Sequence, residues 1–195
     1  MPRNANGCFA KTNIDPKNEL KYIPVRTPFF GGGFSFVKAI FWLEHVKWDP
    51  YMLYIFNGEE FGISTRGWTS GYDFYSPPFD LCAHWYDKGP KRKSPHISNP
   101  KVNTHKIRDR SEKRINYMWG IWNVRYPNID LTKMNDKEIA NIVELRDLDK
   151  YGLGNKRTLK QYWEFAGIDI EKKNITVFKE KIYEQGGLKY VPWNK

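Results

Sequence analysis

Cysteine is scarce in this chain. Only Cys8 and Cys82 occur among 195 residues, whereas a secreted domain stapled by disulfides usually carries more. Reduced thiols and a cytosolic setting are therefore expected. Long apolar runs are also missing, and no stretch nears the roughly 20 residues that a membrane span needs. The opening MPRNANGCFAKTNIDPKNEL has no apolar core and does not read as a signal peptide. The expectation is a protein without a membrane anchor of its own. The chain also lacks G-x-G-x-x-G spacing, a P-loop, finger-type zinc spacing and internal repeats.

Aromatic residues, by contrast, are abundant, with 8 Trp, 12 Tyr and 12 Phe. In a globular chain they mark both core and flat ligand-stacking surface. The length suits one domain, or one with an appendage. The formal charge is +10, and eight of those charges fall between Lys88 and Arg114. Such a local block points to an anionic partner at one place: a phosphate, an acidic protein or a nucleic acid. No regular nucleic-acid motif accompanies it, which makes nucleic acid the minor reading.

Residues 1–28 are polar and proline-punctuated and read as an arm with one short strand near Tyr22–Val25. Gly31, Gly32 and Gly33 follow, a turn whose backbone can lie directly against a ligand or simply bend. Ser35 is placed to cap a helix through about Val46, with Phe36, Ile40 and Leu43 on one inward face. His45 near its end complements the helix dipole. Tyr51–Phe56 reads as a buried strand or loop that delivers Asn57, Gly58, Glu59 and Glu60. A helix from there to about Ser70 is expected, weakened by Gly62 and Gly67. Glu59 and Glu60 suit the positive end of a helix dipole. They equally suit a carboxylate pair that accepts a sugar or acceptor hydroxyl, or acts as general base. Arg66 is placed to pair with a glutamate or a phosphate, and Trp68 to fill core or to stack. Gly71 ends the helix, and Tyr72–Ser76 and Leu81–Tyr86 alternate like strands. His84, between apolar neighbours, reads on its own as a hydrogen-bonded core histidine.

Residues 87–109 form a basic loop that reads either as solvated chain or as a lid over an anion. Helices are expected over 109–122, from a capping box at Asn135 and Glu138 to about Arg146, and from Arg157 to Phe165 before Gly167. Residues 150–156 read as a glycine-rich loop. Strands are expected at Ile175–Phe178 and Leu188–Val191. The organisation is thus an arm over 1–28, a catalytic part over 29–125, and a helical and β extension over 126–195.

The ordered series GGGFSF, KWDPYMLYIFNGEE, STRGWTSGYDFYSP and HWY resembles the cytoplasmic polypeptide N-acetylglucosaminyltransferases. The best-known relative modifies hydroxyproline on the Skp1 ubiquitin-ligase subunit. RSEKRINYMWG and YGLGNKRTLKQYWEFAGIDI resemble the C-terminal part of that family. The resemblance implies an α/β fold, the C-terminal portion of a GT-A glycosyltransferase, with a mixed sheet and flanking helices. It implies a UDP-sugar donor, a protein acceptor and a divalent metal, Mn²⁺ or Mg²⁺, that steadies the departing UDP. It makes Glu59 and Glu60 the catalytic candidates and His84 the metal ligand. It makes Gly31, Gly32, Gly33, Asn57, Gly58, Arg66, Trp68, Lys91, Arg92 and Lys93 candidates for substrate binding. That family also carries a nucleotide-binding half ending in Asp-x-Asp, and no such pair stands before Gly31. Asp147-Leu148-Asp149 has the spacing but lies far downstream. A separate chain that supplies the nucleotide-binding half is the partner this implies. A non-catalytic protein- or glycan-binding module is the alternative.

Overall fold

Helix α1, Glu59–Thr69, organises the fold, which a computed structural model describes over residues 24–56, 58–76 and 101–175. Every residue of α1 from Gly62 to Thr69 is buried. Its two glycines are explained by close packing. A Cβ at Gly62 would stand 2.8 Å from Ile115 Cδ1, and one at Gly67 would stand 2.5 Å from Phe74 Cζ. Each glycine costs roughly 1 kcal/mol of helix propensity, and close packing with the neighbouring element is what it permits. Gly71 stops the helix as expected. It takes φ 91°, its N–H donates to the Trp68 carbonyl at 2.9 Å, and the Tyr72 N–H reaches the Gly67 carbonyl at 2.9 Å. That pair of bonds is a Schellman stop.

Strand β1, Val25–Thr27, precedes the glycine turn, and β2, Phe74–Ser76, follows α1. They pair antiparallel, with Arg26 opposite Tyr75 and Thr27 opposite Phe74. The chain therefore passes from β1 through the glycine turn to α1 and returns to β1 as β2. This return holds the glycine turn beside the start of α1.

The expected helix over 35–46 is corrected. Residues 35–38 are not helical; helix begins only at residue 39 and runs into a π-helical turn, Phe41–His45, which no side chain caps. Its wide turn is closed by Val46 N–H donating to the Phe41 carbonyl at 2.6 Å. Phe41 and Val46 are buried, while Phe36 is 97% exposed and Leu43 69%. The inward face expected from a 3.6-residue period is thus replaced by a different one. Tyr51–Phe56 forms turns rather than a strand.

Helix α2, Thr104–Met118, is capped by the Asn103 side chain, which accepts from the Lys106 N–H at 3.0 Å. It starts five residues before the expected Asp109. Short helices follow: α3 at Trp122–Arg125, α4 at Asp136–Ile142, α5 at Leu148–Tyr151 and α6 at Leu159–Phe165. The capping box of Asn135 and Glu138 is present, and α4 ends before Val143, short of Arg146. A second capping box joins Thr158 and Gln161 at α6. Strands β3, Ile168–Asp169, and β4, Asn174–Ile175, form a small antiparallel pair.

Three apolar clusters meet around α1. Trp68 packs with Tyr162, Phe165 and Ala166. Ile63 packs with Phe41 and Val46. Ile55 packs with Ile115 and Met118 behind the helix start. The class is α/β, and helices with small antiparallel sheets are consistent with part of a glycosyltransferase-like fold. Among the described residues both sheets are antiparallel pairs, and no helix is long and apolar enough to cross a membrane.

Candidate active site

The glycine turn and the paired glutamates, 28 residues apart in sequence, come together. Glu60 Oε1 accepts the Gly32 N–H at 2.6 Å. One turn further along α1, Ser64 Oγ accepts the Phe30 N–H at 2.7 Å and donates to the Glu60 carbonyl at 2.7 Å. Residues 60 and 64 lie on one helix face, so a single face of α1 holds residues 30 and 32. Ser64 was not foreseen, because spacing alone does not reveal which backbone a mid-helix serine will meet.

Gly58 caps α1 with φ 116°, a left-handed value that suits glycine. A Cβ there would stand 3.6 Å from Ile55 Cδ1 and 3.8 Å from the Trp119 indole. Behind the wall, Phe61 meets Phe29, Trp119, Tyr162 and Trp163 at ring-centroid distances of 4.9 to 5.8 Å. The Tyr162 hydroxyl donates to the Pro28 carbonyl at 2.7 Å. Trp119 Nε1–H donates to Thr65 Oγ1 at 3.0 Å. This aromatic backing fixes the strand leading into the glycines.

The two glutamates are not equivalent. Glu60 is engaged with Gly32. Glu59 is half-buried, and its carboxyl is pushed above the usual range, first by burial and then by the neighbouring Glu60 charge. No hydrogen bond reaches its carboxylate among the described residues. Burial next to a second carboxylate is the environment in which enzymes place acid or base groups.

Arg66 and Trp68 stand away from this wall. Arg66 is buried and donates to the Lys47 carbonyl. Burial lowers its guanidinium to about 10, and Asp49 opposes that shift. Trp68 is 1% exposed. Phe165 stacks on its indole at 4.5 Å and the Arg157 guanidinium lies over it at 4.3 Å. Its Nε1–H donates to the Thr158 carbonyl at 3.3 Å. Within the described fold both side chains serve the interior.

Asn57, His84, Lys91, Arg92 and Lys93 lie outside the described residues, as do both cysteines and the expected strands at 81–86 and 188–191. Of the basic block, the part from Thr104 belongs to α2. There Arg108 pairs with Glu112, Lys113 with Asp109, Arg110 with Glu144 and Arg114 with Asp49. Much of the positive charge on α2 is therefore matched by carboxylates of this chain.

His45 does more than complement a dipole, since its Nδ1 hydrogen-bonds the Tyr72 hydroxyl at 2.5 Å. Asp147 has a structural partner, because the Tyr51 hydroxyl donates to it at 2.6 Å. Among the described residues no three His, Cys, Asp or Glu side chains stand close enough to hold a metal ion. The described residues alone do not fit a metal centre.

The arrangement supplies a carboxylate of raised pKa, a second carboxylate holding a glycine turn, and an aromatic floor. Such a wall can receive a hydroxyl-bearing ligand against exposed backbone. A family model described as "Glycosyltransferase (GlcNAc)" matches residues 7–172. No curated protein and no solved structure matches the chain.

Proposed function

Because the chain belongs to the GlcNAc glycosyltransferase family, we propose that it transfers N-acetylglucosamine from a UDP-sugar to a protein hydroxyl, such as hydroxyproline. The observation that carries this reading is the Glu60–Gly32 hydrogen bond of 2.6 Å. It joins the two motifs that a sugar-binding wall needs, a bare backbone turn and a carboxylate pair. Glu59 accepts a hydroxyl of the sugar or of the acceptor, and Gly31–Gly33 border the sugar. Asn57 and Gly58 lead into that wall. Lys91, Arg92 and Lys93 neutralise the diphosphate. Arg66 and Trp68, buried away from the wall, hold α1 in the interior.

A divalent metal, Mn²⁺ or Mg²⁺, belongs to the proposal, with His84 as one ligand. One histidine makes a poor site for either ion without oxygen ligands, so carboxylates from beyond the described residues are required. A nucleotide-binding half carrying Asp-x-Asp would supply them. Exposed apolar residues flank the wall on both sides and support such a partner. Phe34 and Phe36 follow the glycines, and Phe56, 75% exposed, precedes Gly58. Large exposed apolar side chains beside a site's motifs mark interaction surfaces. A cytoplasmic setting is part of the same proposal.

The test is calorimetric titration of UDP-GlcNAc with Mn²⁺, alone and with a candidate nucleotide-binding half, followed by a transfer assay on a hydroxyproline peptide. Saturable binding and transfer support the reading. Absence of both, with and without the second chain, overturns it. The second reading is a non-catalytic protein- or glycan-binding module. Transfer that His84→Ala abolishes would exclude it.

A further inference from the structure

We propose that Glu60 is a positioning residue, whose carboxylate clamps the Gly31–Gly33 turn to the start of α1, beside Glu59. The idea of a hydroxyl binding there rests on the proposed function. The clamp itself rests on geometry alone.

Three observations converge. The Gly32 N–H donates to Glu60 Oε1 at 2.6 Å, a charge-assisted bond. A Cβ at Gly32 would stand 3.0 Å from that same oxygen, whereas one at Gly33 would meet nothing within 4 Å. Bare backbone is therefore used at 32 specifically, and the carboxylate occupies the space a side chain would take. Finally, Ser64 tethers Phe30 one helical turn away, at 2.7 Å. Two tethers on one face of α1 fix both the approach and the apex of the turn.

This divides the labour within the glutamate pair. Glu60 spends an oxygen on the backbone and acts through the turn. Glu59 keeps its carboxylate for whatever enters. Burial first, and then the adjacent Glu60 charge, raise the proton affinity of Glu59. Loss of the clamp would let residues 31–33 drift from the start of α1, and a misplacement on the order of 1 Å can cost about a hundredfold in rate.

The experiment compares Glu60→Ala, Glu60→Gln and Gly32→Ala in the full chain by amide hydrogen exchange, with no donor present. Glu60→Ala is expected to speed exchange over residues 30–34 by about tenfold, the factor one hydrogen bond of ordinary strength supports. Exchange over 65–69 should stay unchanged. Glu60→Gln keeps an acceptor oxygen and should restore most of the protection. Gly32→Ala should loosen the turn without touching α1, which covers the case of a Glu60→Ala chain that folds poorly. Unchanged exchange over 30–34 in both alanine variants overturns the clamp. If transfer is established, rescue of the rate by Glu60→Gln supports positioning. Equal loss in Gln and Ala shows action through charge and overturns it. Exchange is read without substrate, so failure of transfer in the unmodified protein sinks the proposed function and leaves the clamp standing.

Discussion

Arg114 and Asp49 form an ion pair of 2.8 Å in which both side chains are wholly buried. The pair lies 65 residues apart in sequence and joins α2 to the segment before α1. Asp49 also accepts the Tyr51 N–H at 2.9 Å, and Arg114 Nη1 donates to the Glu144 carbonyl at 2.7 Å. Arg66 approaches the same carboxylate closely enough to feel its charge. Two buried guanidiniums thus depend on one aspartate.

The consequence is a severe penalty for neutralising Asp49. Asp49→Asn keeps the shape but leaves two buried cations uncompensated. Removing one partner of a buried pair costs about 3–5 kcal/mol, a large part of ordinary domain stability. Urea unfolding should show a midpoint displaced accordingly. A loss below about 1 kcal/mol would mean that water reaches these guanidiniums.

Helix ends were legible in the sequence where a local rule decides them. Asn135 with Glu138, Gly71 after α1 and the α6 region all fell where spacing placed them, because caps depend on neighbours three or four positions away. The face of the 35–46 segment was not legible. Phe36, Ile40 and Leu43 fit a helical period, yet a π turn buries Phe41 instead. Which aromatic is buried depends on distant partners: Phe41 meets Tyr72 edge-on at 4.9 Å. From the sequence the glycines of α1 look like weak points, whereas Ile115 and Phe74 require them. Within the candidate site, the two motifs were visible separately. Their junction through Glu60 and Gly32 was not, since nothing local encodes a bond across 28 residues.

Glu144 makes stability sensitive to acid. Its carboxylate bonds Arg146 Nη2 at 2.7 Å and Arg110 Nη2 at 2.8 Å. The Arg146 hydrogen bonds lead in lowering its pKa to about 2. A carboxyl depressed in the folded state stabilises above its unfolded pKa of about 4.3. That contribution, about 3 kcal/mol at most, is lost as pH falls from there towards 2. Glu144→Gln should be less stable at pH 7 and show a flatter loss of stability between about pH 4.5 and 2. Equal acid slopes in both proteins would remove Glu144 as the cause.

The glycine turn predicts a contrast between neighbours. Gly33→Ala meets open space and should change stability by less than about 0.5 kcal/mol. Gly32→Ala places a methyl 3.0 Å from Glu60 Oε1. The Glu60 carboxylate must give by a few tenths of an ångström, which strains its bond to the Gly32 N–H, and the cost should be up to about 1 kcal/mol. Thermal melts of the two variants side by side decide it, and equal midpoints would contradict the packing at Gly32.

Glu59 offers a test that separates a functional carboxylate from a structural one. Its pKa is raised by burial and by Glu60. The folded state therefore binds the proton more tightly than the unfolded state does. The sign follows directly: its favourable contribution is complete below the unfolded pKa and lost as pH rises through the folded pKa. At neutral pH the ionised group opposes folding. Glu59→Gln removes that charge and should raise the melting temperature by about 1–3 °C. A residue kept for structure would cost stability when changed. A residue kept for chemistry stabilises when removed and takes the activity with it. A lower melting temperature for Glu59→Gln, or transfer that survives it, would place Glu59 among the structural groups.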